Sequence, residues 1–402
     1  MSLSIEKQSP TDLTPSTSTW SAVIVMSLCC SVLIASEFMP VSLLTPIAFD
    51  LKMTEGQVGQ AIAISGIFAV IASLTIGKFT RKWDRRSVML GLTLLMILSG
   101  VIITFAHNSL LFILGRSILG VVIGGFWSMS TAIVMRLVRF NEVPKALGLL
   151  NGGNALATTI AAPLGSFLGS VIGWRGAFFY IVPIAVIALL WQVKTMPSLP
   201  PIKTQHMSGN VFLLLKRPVI CLGMFAILFL FMGQFSLFTY LRPFLENVTL
   251  VDANQLSSLL LIMGVSGLIG TFMISHILHK HLYRYLILIP LTMAFLAGAF
   301  ILFGYQFWII AALMVLWGLI GTSAPVAWNT WLTRSLPHEI EAGGGLMVAI
   351  IQLAITLGAT AGGLLFDWQG YQATFILSAI TLVIGALFSS FTWRYLLNAR
   401  YQ

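Results

Sequence analysis

The chain has 402 residues and a net charge of +10, from 22 Lys and Arg against 12 Asp and Glu, yet only 8% of it is charged and 58% is hydrophobic. Soluble domains carry roughly 25% charged residues, so this composition, with a mean hydropathy of +0.96, excludes a soluble globular protein and describes an integral membrane protein. The basic excess calls for no nucleic-acid partner, because an anionic cytoplasmic leaflet attracts it equally well.

Residues 1–19 are rich in Ser, Thr and Pro, have no apolar face, and read as a disordered cytoplasmic tail. Apolar runs near the roughly 20 residues that span a bilayer then follow at 20–44, 57–77, 87–106, 110–134, 147–171 and 177–193. A polar stretch with Pro197, Pro200 and Pro201 reads as a cytoplasmic linker over 194–217. Six further runs occupy 218–240, 255–278, 285–304, 307–330, 345–366 and 373–391. The pattern predicts an all-α membrane protein of twelve transmembrane helices, with an N-terminal half over 20–193 and a C-terminal half over 218–402. The alternating strands of an outer-membrane barrel are absent.

Placing both termini in the cytoplasm puts 18 Lys and Arg residues on that side against Lys52, Arg175 and Arg242 on the other, as the positive-inside rule requires. The chain also repeats itself at an offset of 197 residues: Gly173-Trp174-Arg175-Gly176-Ala177-Phe178 returns as Gly370-Tyr371-Gln372-Ala373-Thr374-Phe375. Two pseudo-symmetric six-helix halves are the architecture in which rocking around a midplane site gives alternating access. The cysteines Cys29, Cys30 and Cys221 lie within spans and suggest packing, not a disulfide framework or metal site. No catalytic residue, metal ligand set or cofactor motif is recognised, and there is no phosphate loop for ATP. The partners expected are a small-molecule substrate, protons and the lipid bilayer, with the chain acting as a monomer.

Only Glu37 and Arg116 place a charge inside the apolar runs. A charge at the centre of a membrane helix costs roughly 2.5–3.5 kcal/mol on insertion scales and persists where it faces a cavity and has a function. Glu37 is the one carboxylate there and is the candidate proton carrier; a structural ion pair or a helix-end acid is the competing reading. Arg116 keeps its proton, so its expected role is electrostatic, holding Glu37 or another acceptor ionised; packing against backbone carbonyls is the alternative. A second group is uncharged. Trp127, Asn151, Asn154, Gln234, Tyr240, Trp328, Asn329, Trp331 and Gln352 offer aromatic faces and amide edges, which suit stacking on a base and bonding to its ring edge and ribose hydroxyls. Each also has a bland role, at the membrane interface or as glue between helices.

Several of these pieces resemble the major facilitator superfamily. Gly77-Lys78-Phe79-Thr80-Arg81-Lys82-Trp83-Asp84-Arg85-Arg86 is similar to its Gly-x-x-x-Asp-Arg-x-Gly-Arg-Arg loop, with Arg81 where the acid is expected and Asp84 where the second glycine is. The resemblance implies a conformational latch involving Gly77, Asp84, Arg85 and Arg86, weakened or rebuilt around Asp84. Arg116 with Gly120 and Gly124 is similar to the family's buried-arginine motif, which implies proton coupling. Ala162-Pro163-Leu164-Gly165 resembles the glycine-proline motif of the exporter branch, implying a conformational role for Pro163 and Gly165, and Gly173-Trp174-Arg175 is common in drug:proton antiporters.

More narrowly, Glu37-Phe38-Met39-Pro40, Gly125-Phe126-Trp127-Ser128, Gln234-Phe235 with Phe238-Thr239-Tyr240, and Trp331-Leu332-Thr333-Arg334 resemble bacterial purine ribonucleoside efflux proteins. Sugar-efflux relatives share several of these pieces. The implied function is proton-coupled export of inosine and guanosine across a bacterial inner membrane. Sugar or multidrug efflux and a non-transporting membrane sensor stay open, while a membrane enzyme is disfavoured because no second membrane acid pairs with Glu37.

Overall fold

The computed structural model describes residues 19–201, 211–336 and 339–398. The predicted tail therefore falls, up to residue 18, outside the described residues, as does the middle of the predicted linker. The described residues are helical almost throughout: α1 Trp20–Ser42, α2 Leu44–Leu51, α3 Glu55–Phe79, α4 Arg85–Thr104, α5 Ser109–Leu137, α6 Val143–Thr195, α7 Pro218–Thr239, α8 Leu241–Phe244, α9 Ala253–Leu302, α10 Phe307–Gly321, α11 Ser323–Ser335, α12 Ile340–Gln369 and α13 Tyr371–Asn398.

Local chemistry sets the ends. Thr54 caps α3 through a capping box in which its hydroxyl accepts from Gln57 N and Gln57 Oε1 accepts from Thr54 N. Asp252 and Gln255 build the same box for α9. Asp84 and Asn108 cap α4 and α5 with side-chain oxygens. Such caps satisfy backbone N–H groups of the first helical turn, which have no partner within the helix.

Among the described residues eleven helices are apolar and long enough to cross a membrane, and the one over Lys145–Thr195 has 51 residues. At 1.5 Å per residue it runs about 77 Å, more than twice a hydrocarbon core of about 30 Å. It is therefore two crossings joined at Gly173, whose φ of 76° and ψ of 164° break the helix. The total is twelve. In α9 the join between two crossings falls at His281 (φ −138°). The crossing predicted as 307–330 is α10 plus α11, bent at Thr322; Pro325 lacks an N–H and its ring conflicts with the carbonyl of Gly321 four residues back. The Thr322 hydroxyl bonds Gly267 O at 2.6 Å and that of Ser323 bonds Gly270 O at 3.2 Å, which ties the bend to α9.

The internal repeat is visible in the backbone. Gly370 has φ 77°, matching Gly173. The non-glycine residues with positive φ are Lys52 (52°) and Leu250 (60°), ending the short segments that open at Leu44 and Leu241. Those short segments were not anticipated, because each is an apolar continuation of the preceding span that turns only after Pro40 or Tyr240.

The buried apolar residues form two clusters. One includes Leu33, Met89, Phe112, Ile123 and Phe178; the other includes Ile227, Leu256, Phe300, Trp317 and Phe375. Large exposed side chains such as Phe49, Phe295 and Leu302 cover the outside, as lipid-facing helices require. Small residues set the closest helix contacts: Gly120 lies on the backbone of Ser65 and Gly318 on that of Met263, where a Cβ would collide.

Candidate functional site

Arg116 is 0% exposed and Glu37 7%. Arg116 lies on α5 and reaches two other helices: NH1 donates to Ser36 O on α1 at 2.9 Å and NH2 donates to Ser65 Oγ on α3 at 2.9 Å. Its contact with α1 is thus the carbonyl just before Glu37. The two side chains interact electrostatically without a direct hydrogen bond; the ion pairs among the described residues include Arg175–Asp50, Arg217–Glu339 and Arg242–Glu246. The fork of Arg116 is occupied by a carbonyl and a hydroxyl, so its attraction to Glu37 acts through space in a low-dielectric interior.

The direct partner of Glu37 comes from the other half of the chain. Gln352 Nε2 on α12 donates to Glu37 Oε1 at 3.2 Å. One turn on, the Thr356 hydroxyl donates to Gln352 O at 2.8 Å and lies 3.3 Å from Ala63 O on α3, seated where Gly66 has no side chain. An aromatic group adjoins this contact. Phe38 stacks on Phe235 with centroids 5.8 Å apart and meets Phe238 edge-on at 6.3 Å. Sequence reasoning had Phe38, Phe235 and Phe238 only as pieces of a motif; Ser65 was missed altogether, since a serine among apolar residues carries no periodic signal.

The amide and aromatic candidates separate into three kinds. Asn151 and Asn329 are exposed, and Asn154, Trp127 and Gln234 are half-buried. Trp127 packs edge-on against Phe126 at 5.8 Å, and Asn154 Oδ1 lies 3.4 Å from the Thr158 hydroxyl. Trp328 and Trp331 are fully buried against each other, 5.2 Å apart and edge-on, with Trp331 filling the space beside Gly223. Tyr240 lines no cavity here: it is 0% exposed, its hydroxyl donates to Ala359 O at 2.7 Å, and its ring stacks on Phe366 at 5.1 Å. Gln234 Oε1, Gln352 Oε1, Trp328 Nε1, Trp331 Nε1 and Arg116 Nε are buried without a hydrogen-bond partner. Each such atom costs about 1–3 kcal/mol while it stays unpaired.

The loop after α3 is held differently from the resembled motif. Asp84 accepts from Arg86 N at 2.8 Å, from Leu199 N at 2.9 Å and from the Ser198 hydroxyl. Burial raises its carboxyl pKa, but those hydrogen bonds and the nearby Arg136 charge outweigh burial and hold it below the ordinary carboxylate range. Arg85 NH1 donates to Thr80 Oγ1 at 2.9 Å, Arg86 NH2 to Val193 O at 2.6 Å and Arg136 NH2 to Pro200 O at 2.8 Å. Asp84 thereby fastens the loop to the segment after α6. Arg81 is exposed, and Gly77 has open space around it. On α6, Pro163 is buried and Gly165 lies against Met39 and Ser42 of α1.

Contacts between the halves are tight at one end of the bundle. Asp367, at the end of α12, accepts from Gly56 N at 3.0 Å and from the Thr54 hydroxyl, so a carboxylate of one half sits on the helix N-terminus of the other. Arg242 donates to Ser42 O, and Gly59 and Gly363 enclose the Tyr240 hydroxyl. Toward the end where α1 begins, Gly77 of α3 and Gly344 and Gly345 of α12 have nothing within 4 Å of where a Cβ would stand. Asp367 was overlooked because it lies just past an apolar run, where an acid ordinarily meets water.

Twelve crossings in two halves that pack tightly against each other at one end, with a carboxylate and an arginine buried within them, define a secondary-transporter architecture. The chain belongs to the Major Facilitator Superfamily, whose family model matches residues 25–340. It is 53% identical over 378 residues to the "Transcription regulatory protein OpdE" of Pseudomonas aeruginosa, covering 93% of this chain and 94% of that one. It is 41% identical over 368 residues to the "Purine ribonucleoside efflux pump NepI" of Salmonella paratyphi C, covering 92% of each. A crystal structure of a bacterial homolog to the human lysosomal transporter Spinster, inward-facing and unoccupied, superposes with a TM-score of 0.76 at 15% identity, over 96% of this chain and 98% of that one. That likeness concerns the fold alone.

Proposed function

We propose that this protein exports purine ribonucleosides such as inosine and guanosine by antiport with protons, as a monomer in a bacterial inner membrane with both termini cytoplasmic. The observation that carries the antiport reading is the buried Glu37 at the meeting point of the halves, with Arg116 behind it and Gln352 across from it. A carboxylate there is within reach of a change in access when residues 20–193 and 218–402 rock apart. The cargo assignment is supported by the 41% identical relative, named as a purine ribonucleoside efflux pump, and by unpaired amide and indole groups suited to a neutral, hydrogen-bonding guest.

Everted vesicles under an imposed pH gradient test this reading, with inosine, guanosine, arabinose and a lipophilic cation compared. Inosine and guanosine accumulation is expected; accumulation of arabinose or the cation alone would replace the cargo and keep the antiporter. A second reading, a membrane sensor, is favoured by the name of the 53% identical relative, a transcription regulatory protein. Counterflow in proteoliposomes separates the two, since a sensor does not exchange labelled nucleoside across the bilayer.

A further inference from the structure

Gln352 was read from sequence as a substrate ligand and stands in the structure on Glu37, and both roles belong to one amide. We infer that Gln352 is the residue through which proton and cargo exclude one another, a reading that rests on the antiport function above. Its Nε2 donates to Glu37 Oε1 at 3.2 Å, while its own Oε1 is buried with no partner. A charged carboxylate only accepts hydrogen bonds, so it must face the N–H edge of the amide. That leaves Oε1 as an acceptor for an N–H or O–H of a guest.

When Glu37 takes up a proton from the aqueous side, becoming a neutral carboxyl with no other bond made or broken, its new O–H needs an acceptor. A half-turn about the last side-chain bond of Gln352, a soft torsion, supplies Oε1 and turns the NH2 group toward the guest. A donor on the cargo then meets a donor and is released. The backbone beneath stays fixed, because Thr356 bonds Gln352 O and seats against Gly66. The charged or titratable groups facing Glu37 are Arg116 of α5 and Cys30 of α1; α12 presents Gln352 and Thr356, and α3 presents Ser65 to Arg116, none of which titrates. The cargo class is a neutral molecule whose hydroxyl or ring N–H reaches Oε1.

The test is equilibrium binding of labelled inosine to the purified full-length protein from pH 8.5 to 5.5, with infrared detection of the protonated Glu37 carboxyl, identified by its absence in Glu37→Gln. Wild type should bind inosine about tenfold more weakly at the acid end, the scale of one neutral hydrogen bond lost with its donor left unpaired, and saturating inosine should diminish the Glu37 carboxyl band. Gln352→Met should bind weakly at every pH and displace that band. Wild-type binding that ignores pH, a carboxyl band that inosine leaves unchanged, or a Gln352→Met variant with wild-type affinity and pH response would each overturn the inference. If wild type binds no inosine at all, the nucleoside reading falls instead; the inference is then decided by the band alone, supported if Gln352→Met displaces it and overturned if not.

Discussion

Arg116 shows what one side chain can hold. Its planar fork bonds Ser36 O and Ser65 Oγ at once, a geometry a lysine ammonium on a single stem cannot copy. Arg116→Lys is expected to lose one of these charge-assisted bonds, a cost of about 1.5–3 kcal/mol, and to weaken coupling; Arg116→Ala should lose both and fall further. Thermal unfolding in detergent, alongside proton-driven inosine efflux, reads both effects, and equal near-normal values in the two variants would assign Arg116 to packing. Glu37→Gln keeps an acceptor for Gln352 Nε2 but carries no proton, so it should abolish pH-driven efflux while leaving the fold and inosine binding in place. Proteoliposome efflux with an imposed gradient decides this, and undiminished coupling would remove Glu37 from the proton path.

At the scale of elements, the attachment of the loop after α3 to the segment after α6 depends on an ionised Asp84. Because its folded pKa is depressed, the stabilisation is fully present above the ordinary carboxylate value near 3.9 and is lost as pH falls through the lower folded value. Hydrogen exchange at Leu199 N, which donates to Asp84, should therefore stay slow from neutral pH down to about 4. In Asp84→Asn it should be fast throughout, since the charge that strengthens the bond is gone; slow exchange in that variant would mean the segment is held by other contacts. The seam between α3 and α12 makes a different demand. At Gly56 a Cβ would overlap the Asp367 carboxylate and Gly363 O, and backbone cannot yield as a flexible side chain does. Gly56→Ala should prevent that end from closing, raising the labelling rate of a cysteine replacing Ala359, which is 0% exposed, by about tenfold or more, the factor that 1.4 kcal/mol represents.

For the whole molecule, the glycine contacts predict one-sided access. A cysteine replacing Gly345 of α12, which has open space around it, should react with a membrane-impermeant thiol reagent applied at the end where α1 begins. One replacing Ala359, whose carbonyl is capped by the Tyr240 hydroxyl, should be protected from either side until cargo or pH turns the transporter over. Equal labelling of the two positions would contradict a bundle packed at one end and open at the other.

Twelve apolar runs, a repeat at an offset of 197 residues, and Glu37 and Arg116 as the charges within those runs are all legible in the amino-acid sequence. These follow from local quantities: the length of an apolar run, the cost of a charge in hydrocarbon, and glycine at the paired breaks Gly173 and Gly370. Which groups meet is set by the packing of the helices. Gln352 reaches Glu37 across 315 positions of chain, Thr54 meets Asp367 across 313, and Tyr240 closes on Ala359 instead of lining a cavity. Such pairings depend on the axial register of helices from separate halves, fixed by small residues at their crossings, and no periodicity within a single helix encodes that register.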